Sequence, residues 1–95
     1  MEPDYQFTRH ARERSAERSI PPFVAEAIIA YGHSREAGDG ARKYSLAKGS
    51  MRELRQDAGS AFTNIINFYR RRNAYVVAVG DRIVTVAFAS RPLFY

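Results

Sequence analysis

Apolar positions recur at helical spacing in two stretches of the chain and run almost unbroken in a third. Val24, Ala27, Ile28 and Tyr31 share one face of a helix predicted over Pro22–Tyr31. Pro22 sits in its first turn, where proline is tolerated, and Gly32 follows as a natural C′ residue. Further on, Leu54, Ala58, Ala61, Phe62, Ile65, Ile66 and Tyr69 hold the same spacing. They predict a helix from near Ser50 to Arg72, opened by a Ser50–Glu53 capping box. Gly59 interrupts it at a cost of about 1 kcal/mol relative to alanine, and the β-branched and aromatic residues after Phe62 make a strand the competing assignment there. The unbroken runs are AYVVAV (Ala74–Val79) and RIVTVAF (Arg82–Phe88), which flank Gly80-Asp81. A glycine at the first central position suits a type II′ hairpin turn, and such apolar strands belong at the centre of a sheet.

The remaining segments complete the order. FTRHARERSAERSI (Phe7–Ile20) predicts a charged helix from Thr8, its N-cap, to Ser19, stopped by Pro21-Pro22. With the next helix it makes an αα-hairpin. His33–Ala37 and Ala41–Ala47 form a hairpin around Gly38-Asp39-Gly40, with Tyr44 and Leu46 on one side and Lys43 and Ser45 on the other. Pro92 ends further pairing. The expected fold is a single α+β domain over residues 1–95, order ααββαββ, its three helices packed on a four-stranded antiparallel sheet. Residues 1–6 are expected as a frayed leader. Residues 89–95 form a tail whose Leu93-Phe94-Tyr95 can dock on the sheet edge or a partner.

Composition narrows the function. A hydrophobic share of 45% with 13% aromatics suits a packed domain. There is no cysteine, so no disulfide, thiolate nucleophile or zinc ribbon is available. Two histidines and scattered carboxylates argue against a metal, and no cofactor is expected because the glycine pairs are turns, not phosphate loops. No serine has a His/Asp partner at informative spacing. No apolar run approaches the roughly 20 residues that span a bilayer, and MEPDYQ is no signal peptide, so a cytoplasmic protein without membrane contact is expected. The net charge of +5 directs attention to polyanions, chiefly nucleic acid.

Within the first helix, His10, Arg14 and Arg18 recur every four residues. With Phe7 at zero on a wheel of about 100° per residue, Ala11 lies near 40°, Arg18 near 20°, Arg14 near 340° and His10 near 300°. Arg9, Arg12, Glu13, Ala16 and Glu17 occupy the opposite side. The cationic row therefore shares the apolar stripe and is expected to point at the body. Two readings stay open: the arginines lock the helix onto Glu26, Glu36 or Asp81, or the row is an anion site with guanidinium forks matched to phosphate and His10 as acid–base group.

His10-Ala11, Arg14, Arg18 and Ile20, with Gly40–Tyr44 and the Arg82-Ile83-Val84-Thr85-Val86 strand, resemble a family of small bacterial domains of unknown function. Its pattern is an HAxxRxxxRxI helix, a GxxxY strand and a closing RIVTV strand, and the likeness covers about residues 7–88. These domains are remotely similar to the barnase–EndoU–colicin–RelE group of metal-independent ribonuclease toxins. The resemblance implies RNA cleavage with His10 as acid or base, Arg14 and Arg18 as phosphate clamps and Thr85 orienting the phosphate. It also implies an acidic antitoxin or immunity protein as partner. Lys43 joins this set as a further cation because it alternates away from Tyr44 and Leu46. The alternative is a non-catalytic module that binds nucleic acid or a protein, such as an inhibitor of a nucleic-acid-handling machine.

Arg70, Arg71 and Arg72 either complement the C-terminal end of the third helix or contact the RNA backbone. Tyr44 and Tyr69 have the spacing of core residues, with base stacking as the rival role. His33, next to Gly32, is expected as an exposed loop residue.

Overall fold

The computed structural model describes residues 5–94. Its elements are β1 (Gln6–Phe7), α1 (Arg9–Glu17), α2 (Pro22–Tyr31), β2 (His33–Gly38), β3 (Ala41–Ser45), α3 (Lys48–Arg71), β4 (Ala74–Val79) and β5 (Arg82–Phe88). The sheet has five strands in the order β1-β5-β4-β3-β2. This corrects the expected four-stranded antiparallel sheet, although the α+β class stands. The additional strand comes from the presumed leader, of which residues 1–4 lie outside the described residues. Gln6 and Thr8 donate their backbone N–H groups to the carbonyls of Asp81 (2.9 Å) and Ile83 (3.0 Å), and β1 runs parallel to β5. The edge of an apolar strand is thereby covered, where unpaired backbone groups would otherwise be left.

The β4–β5 hairpin forms as its sequence predicts, with Val79 paired to Arg82 and Gly80 at φ 59°. Its register places Ala74, Val76, Ala78, Ile83 and Val86 on one face, all buried. Ile20, Val24, Ala25, Ile28, Leu54 and Ile66 join them in one core. α1 lies over β5, α2 over β4 and β3, and α3 against α2 and β4. No described helix is long and apolar enough to cross a membrane.

α3 departs from its predicted form at both its start and its middle. It begins at Lys48, and Ser50 is not its N-cap but its third residue. The Ser50 hydroxyl accepts from the Ala47 backbone N–H (3.1 Å), the half of a capping box that reaches backwards. At Gly59 (φ 85°, ψ 172°) the helix breaks into two segments. That conformation suits glycine because it lacks a Cβ. The Thr63 hydroxyl donates to the Gly59 carbonyl at 2.6 Å, a back-bond within the first turn after the break. On the far side the buried positions are Thr63 and Ile66, while Ala61 and Ile65 of the expected stripe, like Ala58 just before the break, are exposed. The Tyr31 hydroxyl donates to the Asp57 carboxylate (3.1 Å), tying α2 to α3 just before the break. Burial, then that bond and the charges of Asp57 and Glu53, raise the Tyr31 phenol above its ordinary pKa.

Gly32 closes α2 with φ −80°, so it is not there for a left-handed backbone. A Cβ at this position would lie 2.3 Å from the Ile28 carbonyl oxygen and 2.7 Å from that of Ser45. Gly32→Ala is expected to cost about 1–3 kcal/mol through this overlap. Gly49 has open space around it inside α3, so Gly49→Ala is expected to add about 0.5–1 kcal/mol. Urea unfolding of the two variants checks both signs.

Candidate nucleic-acid interface

The cationic row of α1 does not face the body. Thr8 caps the helix, its Oγ accepting from the Ala11 N–H at 3.1 Å, and the buried residues are Ala11 and Ser15. The Ser15 hydroxyl donates to the Ile20 carbonyl. Because Phe7 belongs to β1 and not to the helix, it is not a valid origin for the wheel. The buried direction set by Ala11 and Ser15 is turned about 60° from it, and His10 lies about 120° from that direction. His10 and Arg18 are exposed. Arg14 pairs with Glu17 on its own helix (2.5 Å), as Arg9 does with Glu13 (3.5 Å). None of these arginines pairs with Glu26, Glu36 or Asp81.

Thr85 and Lys43 stand on the opposite side of the sheet from α1. Cross-strand partners share a face, so the register defines rows across the uncovered face. One row is Arg35–Lys43–Val77–Thr85, and the next is His33–Ser45–Tyr75–Ala87. A third runs Gly38–Ala41–Val79–Arg82–Gln6. These rows hold Arg35, Lys43 and Arg82 and no carboxylate. The Lys43 ammonium lies 4.8 Å from the centroid of the Tyr75 ring, a distance at which the ring quadrupole attracts a cation. Lys43 and Thr85 are thus brought together, apart from His10, Arg14 and Arg18.

A cleft of about 370 Å³ opens where the second row meets the end of the sheet. Ser45, Leu46, Lys48, Arg70, Arg71 and Asn73 line it, and Pro92 and Phe94 of the tail complete its wall. The tail is held there because Ala89 and Asn73 exchange hydrogen bonds of 2.9 and 3.4 Å. Phe94 also packs on the His33 ring, 5.8 Å between centroids. Arg70 is oriented by the Asn67 amide oxygen, 2.8 Å from its Nε. Lys48, Arg70 and Arg71 have no carboxylate partner among the described residues. Arg72 turns elsewhere, its guanidinium 4.8 Å from the Phe88 ring centroid and 5.2 Å from that of Phe68.

Two of the three arginines read from the sequence, Arg70 and Arg71, therefore enter one cleft. Lys48 was missed because nothing local marks it. Arg35 and Tyr75 were legible in principle, since each alternates with residues of the opposite face. Tyr44 and Tyr69 pack against the core.

With His10 and Arg18 exposed, His10→Ala and Arg18→Ala are each expected to shift unfolding free energy by less than about 0.5 kcal/mol. Thr8→Ala, which removes the cap, is expected to cost about 1 kcal/mol. Chemical denaturation of the three variants measures the contrast. Comparison of the chain with family models, curated proteins and solved structures gives no match.

Proposed function

We propose that the protein binds single-stranded RNA, with the phosphate backbone held in the cleft by Lys48, Arg70 and Arg71. The observation that carries this reading is the convergence of three cations on one cleft with no carboxylate partner among the described residues. Like charges gathered in this way repel, and a polyanion relieves that repulsion while releasing its counterions. A volume of about 370 Å³ is on the scale of small-ligand pockets and suits a nucleotide more than a duplex. Asn73 contributes a side-chain carbonyl with no hydrogen-bond partner among the described residues, an acceptor suited to the 2′-hydroxyl that separates RNA from DNA.

The reading is binding without cleavage. Breaking the strand needs a proton acceptor and a proton donor beside the phosphate, and the cleft lining among the described residues includes no histidine and no carboxylate. His10, Arg14, Arg18 and Thr85, the set implied by the family resemblance, line none of it.

Fluorescence anisotropy with a labelled single-stranded RNA, repeated over a range of salt concentrations, tests the proposal. Three phosphate contacts on a single strand predict a slope of log K against log salt of about −2. Arg70→Ala, Arg71→Ala and Lys48→Ala should each reduce its magnitude by about 0.7. Absent or salt-insensitive binding sinks the proposal. RNA cut in the presence of EDTA, and spared by His10→Ala, would restore the hydrolytic alternative.

A further inference from the structure

We infer that the sheet face opposite the helices, beside the part on which the tail packs, is a base-stacking platform centred on Tyr75, along which the RNA strand continues from the cleft. This inference rests on the reading of the cleft as an RNA site. Continuity comes from Ser45, which both lines the cleft and lies beside Tyr75 in the row His33–Ser45–Tyr75–Ala87. A strand anchored on Lys48, Arg70 and Arg71 therefore reaches Tyr75 one residue pair away, across a strand spacing of about 4.8 Å.

The chemistry of the face fits such a strand. Tyr75 is half-buried, so part of the residue remains accessible to a ligand. Lys43 sits over the ring and one row further from the cleft, followed by Arg35 on the edge strand. A base stacked on Tyr75 has its own phosphate within the field of Lys43, and Arg35 extends that field. No Asp or Glu occupies any of the three rows, so these rows carry no side-chain charge that repels the backbone. A protein partner would find few apolar side chains here, chiefly Val77 and Val79. Stacking on an aromatic ring is sequence-tolerant because every base has a π-face, which makes the ligand an unstructured single strand.

Stacking and charge are separable by experiment. Tyr75→Leu keeps an apolar side chain of comparable bulk and removes the ring, and Tyr75→Phe keeps the ring. Tyr75→Leu is expected to weaken single-stranded RNA binding by about 5- to 150-fold with the salt slope unchanged, while Tyr75→Phe retains affinity. In a set of oligoribonucleotides carrying 2-aminopurine at successive positions, wild type should quench one position, and Tyr75→Leu should leave it bright. Equal affinity of wild type and Tyr75→Leu, or equal quenching by both, overturns the stacking role and leaves the cleft reading intact. Wild type that binds no RNA at all overturns the cleft reading beneath it. Should Tyr75→Leu fail to fold, uniform emission across the 2-aminopurine series with wild type alone overturns the platform.

Discussion

The apolar face of the β4–β5 hairpin is the surface on which the domain is assembled. Ala74, Val76, Ala78, Ile83 and Val86 lie on it, all buried, and each fully buried Val or Ile contributes about 1.5–3 kcal/mol. Helices close over this face alone. α2 buries the largest share of its residues among the described helices, and it lies at the centre of the layer, over β4 and β3. With one helical layer on one sheet, the other face is left in part to the tail, whose Phe94 packs on His33, and otherwise to solvent or a ligand. That asymmetry decides where chemistry is available.

Gly59 is the second constraint, and it acts through helical phase. Leu54 and Ile66 are both fully buried, yet on an unbroken helix they would point about 120° apart. The break restarts the helix at a new angle, so that each half turns its own stripe inward. The consequences extend beyond the core. Ile65 and Phe68 are left 49% and 55% exposed, and the new phase brings Arg70 and Arg71 to the end of the sheet beside Lys48.

Charge is sorted by the same architecture. α1 carries its own counter-charges, Glu13 and Glu17, and both of its ion pairs are local and solvent-facing, where such pairs contribute little to stability. Among the described residues, the cleft and the sheet rows opposite the helices hold cations without acids. The +5 of the whole chain is therefore not spread evenly. A net charge alone suggests a polyanion partner, and the cations without a carboxylate partner among the described residues mark the surface proposed for it.

Local order was legible in the amino-acid sequence because its signals act over a few residues. Helical spacing in Pro22–Tyr31, the Gly80-Asp81 turn and the alternation in β3 each depend on neighbours close along the chain. The β1–β5 pairing was not legible, since two residues near one terminus carry no pattern and their partner lies some 75 positions away. Nor was the inward face of α1, because its wheel was referred to Phe7 and that residue pairs with Ile83 instead. The expected resemblance to a family of small bacterial domains directed attention to His10, Arg14 and Arg18, which the fold leaves on the outside. The sequence by itself determined the α+β class, the β4–β5 hairpin and the excess of positive charge. Only the tertiary structure decided which cations meet. Strand register and helix phase set the direction of each side chain, and both depend on contacts between segments far apart in the chain.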